Sequence, residues 1–221
     1  MAIKIIITGA TGLVGEGVLF ECLAYPDVKQ VLMVNRKPYG GPKHPKLHEC
    51  IVTDFFNIEN VSDKLKGYDA CFYCAGISAR GLDEKAYSHI TYDTTMHFAG
   101  KLLSLNPAMT FGHISGSHTD GSEKGKIMWA RIKGKTENTL MRLPFKQVYN
   151  FRPGIMKPTA GQQNIKGIYK IISSLYPLLH FLFPGQTSTM HQVGLAMINS
   201  VLKGYPKHIL EIQDIKLLAG K

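Results

Sequence analysis

MAIKIIITGATGLVG, residues 1–15, runs an apolar strand straight into a glycine-rich turn. Ile3, Ile5, Ile6 and Ile7 form a near-continuous β-branched run, the pattern of a strand buried on both faces of a parallel sheet. Gly9, Gly12 and Gly15 follow at intervals of three. The first permits a tight turn, the second lets backbone approach a pyrophosphate, and the third lets the next helix pack closely. That helix is predicted from about Leu13 to Leu23, its free N–H groups and positive dipole end aimed at a bound anion. Gly9, Thr11, Gly12, Leu13, Val14 and Gly15 are therefore the expected phosphate-side contacts of a dinucleotide.

A chain of 221 residues, 44% of them hydrophobic, can bury one substantial core but not two full α/β domains. The expectation is a single domain over 1–221, with a cofactor-binding core at 1–152 and a substrate-side segment at 153–221. Four cysteines without a disulfide framework, and no secretory signal before the first strand, fit a reducing cytoplasm. Cys71 and Cys74 form a CxxC inside an apolar strand, where residues three apart point to opposite faces and cannot share a metal. The net charge of +10 is spread without a dense Lys/Arg run, which argues against specific nucleic-acid binding and for a phosphate-bearing cofactor.

Val31 to Asn35 reads as a second buried strand, and its end bears on cofactor choice. NAD-selective sites of this kind place a carboxylate there for the adenosine ribose, whereas an arginine accommodates a 2′-phosphate. Here the chain reads Asn35, Arg36, Lys37, so NADP is expected, with NAD the lesser choice. PYGGPKHPK (38–46) reads as an exposed loop, LHECIVTDF as a third strand ending at Asp54 and Phe55, and Tyr68 to Gly76 as a fourth. Asp83 to Leu105 is helical by period, with Ala86, Ile90, Met96, Ala99, Leu102 and Leu103 as inward positions. Ala108 to Ile114 forms a fifth strand before a Ser/Gly-rich turn that contains Ser115, Ser117 and His118. A helix over KIMWARIKGKTENTLMRL precedes a sixth strand, Phe145 to Gly154, which contains Arg152 as a ligand-facing or structural cation.

TGATGLVG, VNRKP, the AG after the fourth strand, WARIKGKTE and NFRPG together resemble the extended and atypical short-chain dehydrogenase/reductases, which are epimerase/dehydratase-like. The Tat-interacting-protein oxidoreductase branch is the most similar. The resemblance implies a three-layer α/β Rossmann-type fold: a doubly wound parallel sheet with a small C-terminal substrate-side elaboration. It implies that Asp54 and Phe55 lie at the adenine, Asp54 otherwise being a turn or N-cap residue, and that Ala75 and Gly76 run under the cofactor. It also implies that Ser115 or Ser117 binds a substrate oxygen. In that superfamily a Tyr-x-x-x-Lys pair on the helix presents a phenol and an ammonium on one face. This chain reads Trp129, Ala130, Arg131, Ile132, Lys133. The lysine is kept, to hold the nicotinamide ribose. The indole donates a hydrogen bond but does not titrate, so it cannot be the acid or base.

Two functions follow. The first is an NADP(H)-dependent oxidoreductase acting on a small-molecule carbonyl or alcohol, with Ser115, Ser117, Trp129 and Lys133 at the reacting end. The second is a redox-inactive dinucleotide-binding sensor. GIYKIISSLYPLLHFLFPG (167–185) is the most apolar stretch, yet Lys170, Pro177 and His180 interrupt it as a membrane span. It reads as a buried helix, the wall of an apolar substrate pocket, or a helix lying on an anionic membrane surface.

Overall fold

The computed structural model describes residues 2–165 and 167–220, with the side chains of 168 and 170–173 left aside. The β-branched opening run forms β1 (Ile3–Thr8), and its Ile5, Ile6 and Ile7 are fully buried. Helix α1 (Leu13–Ala24) follows the glycine turn, and β2 (Val28–Asn35) begins three residues earlier than the apolar pattern suggested. Then come β3 (Leu47–Ile51), a 3₁₀ turn (Glu59–Leu65) and β4 (Ala70–Tyr73). Strands β5 (Thr110–Ile114) and β6 (Gln147–Phe151) flank α4 (Met128–Arg142). With the short C-terminal β9 (Ile209–Leu210) they build a seven-stranded sheet, ordered β3-β2-β1-β4-β5-β6-β9 and parallel throughout. The strand order reverses between β1 and β4, which opens a crevice at the carboxyl ends of these two strands.

The alternation along β1 feeds two cores. Ile5 and Ile7 join the side covered by α1 and α6 (Met190–Lys203), while Ile6 joins the opposite side with Phe98, Leu102 and Leu140. Cys71 packs in the second core and Cys74 against the first, so the two thiols lie on opposite faces of the sheet. All four cysteines are free.

The segment 83–105 departs from a regular helix. It consists of α2 (Glu84–Ser88), a π-helical stretch (His89–Asp93) and α3 (Thr94–Leu105). Tyr87, Thr91, Thr95, Phe98, Ala99 and Leu102 are buried as one stripe at helical spacing, while Ile90 lies off that stripe and faces outward instead of inward.

After β6, β7 (Ile155–Lys157) pairs in parallel with β8 (Thr187–Thr189) as a separate two-stranded sheet, with α5 (Gly167–Leu182) between them. Of the readings for 167–185, a buried helix is not what forms. Tyr176 is buried, but Leu175, Leu178, Phe181, Leu182 and Phe183 are exposed, because nothing among the described residues packs on that side. The closing α7 (Ile212–Leu218) sits beside β9. Arg152 is held by the buried Glu137 through two contacts, Nε to Oε1 at 3.0 Å and Nη2 to Oε2 at 2.5 Å, and by Glu211 at 2.9 Å. It therefore ties β6 to α4 and α7 as a structural cation.

Candidate functional site

The glycine turn crosses the crevice at very close range. Gly9 has φ of +68°, and a Cβ there would lie 2.6 Å from the Ala75 nitrogen at the end of β4. A Cβ on Gly15 would collide with the Gly9 carbonyl. The turn closes through the Gly12 N–H on Gly9 O at 2.9 Å, and Thr8 Oγ1 accepts the Ala75 N–H at 3.3 Å across the strand boundary. Gly12 is the N-cap of α1 and brings no side-chain cap, so the first-turn N–H groups of a twelve-residue helix face the crevice unpaired by their own helix. The Leu13 and Val14 side chains pack against the core, leaving their backbone as what they offer the crevice.

Gly9, Thr11, Gly12, Asn35, Arg36, Lys37, Phe55, Ala75 and Gly76 are brought together around one groove of about 860 Å³, within the size range of small-molecule sites. Asn35 is 4% exposed, and neither its amide oxygen nor its amide nitrogen has a partner among the described residues. A buried carboxamide left unpaired costs free energy unless a ligand completes it. Arg36 and Lys37 are exposed and form no salt bridge among the described residues.

The groove continues into a narrower space of about 290 Å³ lined by Arg36, Asp54, Phe55, Phe56, Tyr73 and His89, among others. Asp54 stands there as a turn residue too: its carboxylate accepts the Phe56 N–H at 2.9 Å and the Asn57 amide at 2.6 Å. Phe56 stacks on His89, centroids 5.0 Å apart and planes 3° off parallel. Sequence reading missed Phe56, His89 and Thr94, which reach this space from a loop, from the π turn that no periodicity announced, and from the start of α3.

At the other end, Trp129 and Lys133 share a space with Ile77, Arg80 and Tyr87. A Cβ on Gly116, between the two candidate serines, would lie 3.6 Å from Lys133 Cδ and 3.8 Å from the Trp129 ring, which puts the Ser-Gly-Ser turn beside that pair. Ser115 is buried, with its Oγ 3.1 Å from Thr119 Oγ1, and Thr119 donates to the Gly116 carbonyl at 2.7 Å. The single Thr119 proton is thus committed, so Ser115 is the donor of its pair. Ser117 is half-buried, and His118 beside it is exposed at φ +64°. Desolvation holds the Lys133 ammonium below its usual pKa, opposed by the charge of Glu137. Burial raises the Tyr87 hydroxyl, which stays protonated at neutral pH.

A family model for the NAD dependent epimerase/dehydratase family matches residues 5–126, more than half of the chain. The chain belongs to the NAD dependent epimerase/dehydratase family. No curated protein sequence matches it. Among solved structures, WbmG from Bordetella bronchiseptica in complex with NAD and UDP is 16% identical with a TM-score of 0.69, covering 99% of this chain and 78% of that one. The UDP-N-acetylglucosamine 4-epimerase from Methanobrevibacter ruminantium M1 is also 16% identical, with a TM-score of 0.66 and coverage of 92% and 74%. The UDP-glucuronic acid 4-epimerase from Bacillus cereus in complex with NAD gives 13% identity, a TM-score of 0.66 and coverage of 95% and 76%. At these identities the likeness is one of fold. For a member of the epimerase/dehydratase family, the close glycine turn, the uncapped helix and the unpaired Asn35 amide fit a nicotinamide dinucleotide. Among the described residues, no helix is long and apolar enough to cross a membrane.

Proposed function

We propose that this chain is an NADP(H)-binding oxidoreductase of the epimerase/dehydratase family acting on a carbonyl or alcohol, with Trp129 in the place of the usual tyrosine. What supports this reading is the strand end after β2, where, among the described residues, Arg36 and Lys37 form no salt bridge, the Asn35 amide beside them has no partner, and no carboxylate lines the wide part of the groove, Asp54 lying in its narrower continuation. The Arg36 fork can take two oxygens of a 2′-phosphate while Lys37 adds a point charge. The α1 N-terminus receives the pyrophosphate, and Asp54, Phe55, Ala75 and Gly76 border the adenosine.

When bound, the cofactor supplies or accepts a hydride. Lys133 binds and orients the nicotinamide ribose from a desolvated position. Ser115, already a hydrogen-bond donor, turns its proton from Thr119 to a substrate oxygen, with Ser117 as the other hydroxyl on the same turn. Trp129 donates through its indole N–H and holds no exchangeable acid at neutral pH. The substrate proton therefore moves to or from water or another donor. Trp129 also supports the second reading, a dinucleotide sensor that has lost turnover.

Titration calorimetry with NADPH and NADH tests the cofactor assignment. NADPH is expected to bind tenfold or more tightly, and Arg36→Ala is expected to erase the difference, since charged hydrogen bonds contribute about 1.5–3 kcal/mol. Equal wild-type affinities would contradict it. NADPH oxidation over a carbonyl panel, with Lys133→Ala as control, tests turnover. Activity gained only in Trp129→Tyr favours the sensor.

A further inference from the structure

We propose that the outer face of α5 is a docking surface for an anionic lipid bilayer. This lies beyond the dinucleotide reading and does not depend on it.

The helix is amphipathic in an inverted sense. On its inner side Tyr176 is buried and stacked on His180, centroids 5.6 Å apart, and His180 Nδ1 lies 2.8 Å from Thr187 Oγ1 in β8. That side is anchored to the small sheet. Leu175, Leu178, Phe181 and Leu182 fall on one arc of the opposite side at helical spacing, and Phe183 follows them. All five are exposed, Phe181 at 82%. Single exposed apolar side chains are ordinary, but half of the large ones described here lie within residues 175–183. None of the five lines the groove at the glycine turn or the spaces that continue it.

Charge selects the occupant. Between Glu137 and Glu211 the sequence contains no aspartate or glutamate, while it holds six lysines, Lys157, Lys166 and Lys170 among them. The Lys157 ammonium sits 5.6 Å from the Tyr176 ring on the inner side of the helix, and Lys216 of α7 reaches the Pro184 carbonyl at 2.7 Å, just past the end of the apolar arc. The acids that follow in sequence are paired, Glu211 sharing Arg152 with Glu137 and Asp214 meeting Lys207. Exposed leucines and phenylalanines among lysines, without a carboxylate, match a headgroup layer of negative charge above acyl chains. A second copy of this chain is a poor occupant, because it too is basic, with a net charge of +10 over the chain, and brings no complementary negative charge.

Co-sedimentation of the full chain with vesicles tests this. Vesicles of phosphatidylcholine containing phosphatidylglycerol are expected to retain the protein, and pure phosphatidylcholine vesicles to retain about tenfold less, as does raising the salt. A Leu178→Glu/Phe181→Glu variant is expected to lose binding about tenfold or more. Both side chains are exposed, so its thermal unfolding should match wild type. Equal retention of that variant, or equal retention by neutral vesicles, overturns the proposal. So does a wild-type dimer by sedimentation velocity that the variant dissolves without any vesicle binding.

Discussion

His113 sits fully enclosed in β5 near the Lys133 end of the site, with Nδ1 2.9 Å from Asn150 Oδ1. The amide oxygen that meets the ring can only accept, so His113 carries its proton on Nδ1. Burial, with the Lys133 charge second, lowers its pKa from 6.5 to about 3 against the opposing bond to Asn150. The folded pKa is thus depressed, and the unfolded chain takes up the proton first. The stability this neutral histidine contributes is fully present above pH 6.5 and is lost as pH falls from there toward 3, at about 1.4 kcal/mol per unit. Urea unfolding between pH 7 and 4 should show that slope. In His113→Gln, which keeps a donor for Asn150, the slope should flatten by about the same 1.4 kcal/mol per unit. An unchanged slope would place the titration elsewhere. The same residue scale explains why Trp129 stands out in sequence: the helix spacing to Lys133 is intact, so one changed side chain is visible against a preserved frame.

At the scale of elements, α1 and α6 pack closely because small residues meet at their crossing. A Cβ on Gly17 would come within 2.8 Å of Met190 Cβ, and one on Gly194 within 2.5 Å of Glu21 Cγ. Gly17→Val must push the helices apart, and a loss of roughly 1–3 kcal/mol in urea unfolding is expected. No loss would show that the pair has room to spare. The two cores and the cofactor crevice were legible for a related reason: β-branched runs, a positive-φ glycine and the Arg-Lys strand end each leave a local chemical mark. The π turn at 89–93 left none. Choosing inward positions by apolarity put Ile90 there and overlooked Tyr87 and the polar Thr91 and Thr95, which share a helix face with Phe98 and Leu102, as well as the His89 that faces the groove. Helix α5 shows the other limit. Its apolar arc is written in the sequence, but whether anything covers that arc depends on distant chain segments.

Over the whole molecule, the segment beyond β6 is moored to the first turn of the cofactor helix. The buried Glu16 carboxylate accepts the N–H groups of Gln163 at 2.9 Å and Asn164 at 2.8 Å, while Gln162 donates to the Leu13 carbonyl at 2.7 Å. The backbone that would cradle the pyrophosphate and the backbone leading into α5 thus share a single carboxylate. Glu16→Ala removes two charge-assisted bonds from half-buried N–H groups, a cost of roughly 1.5–3 kcal/mol. The effect should be local before it is global. Limited proteolysis within 158–165 is expected to accelerate by more than the fall in urea stability accounts for, because local opening releases this loop while the seven-stranded sheet stays paired. Cleavage that rises only in step with global unfolding would mean that the loop is held by the fold as a whole. Cleavage that exceeds it would show that Glu16 fastens this loop locally to the first turn of the cofactor helix.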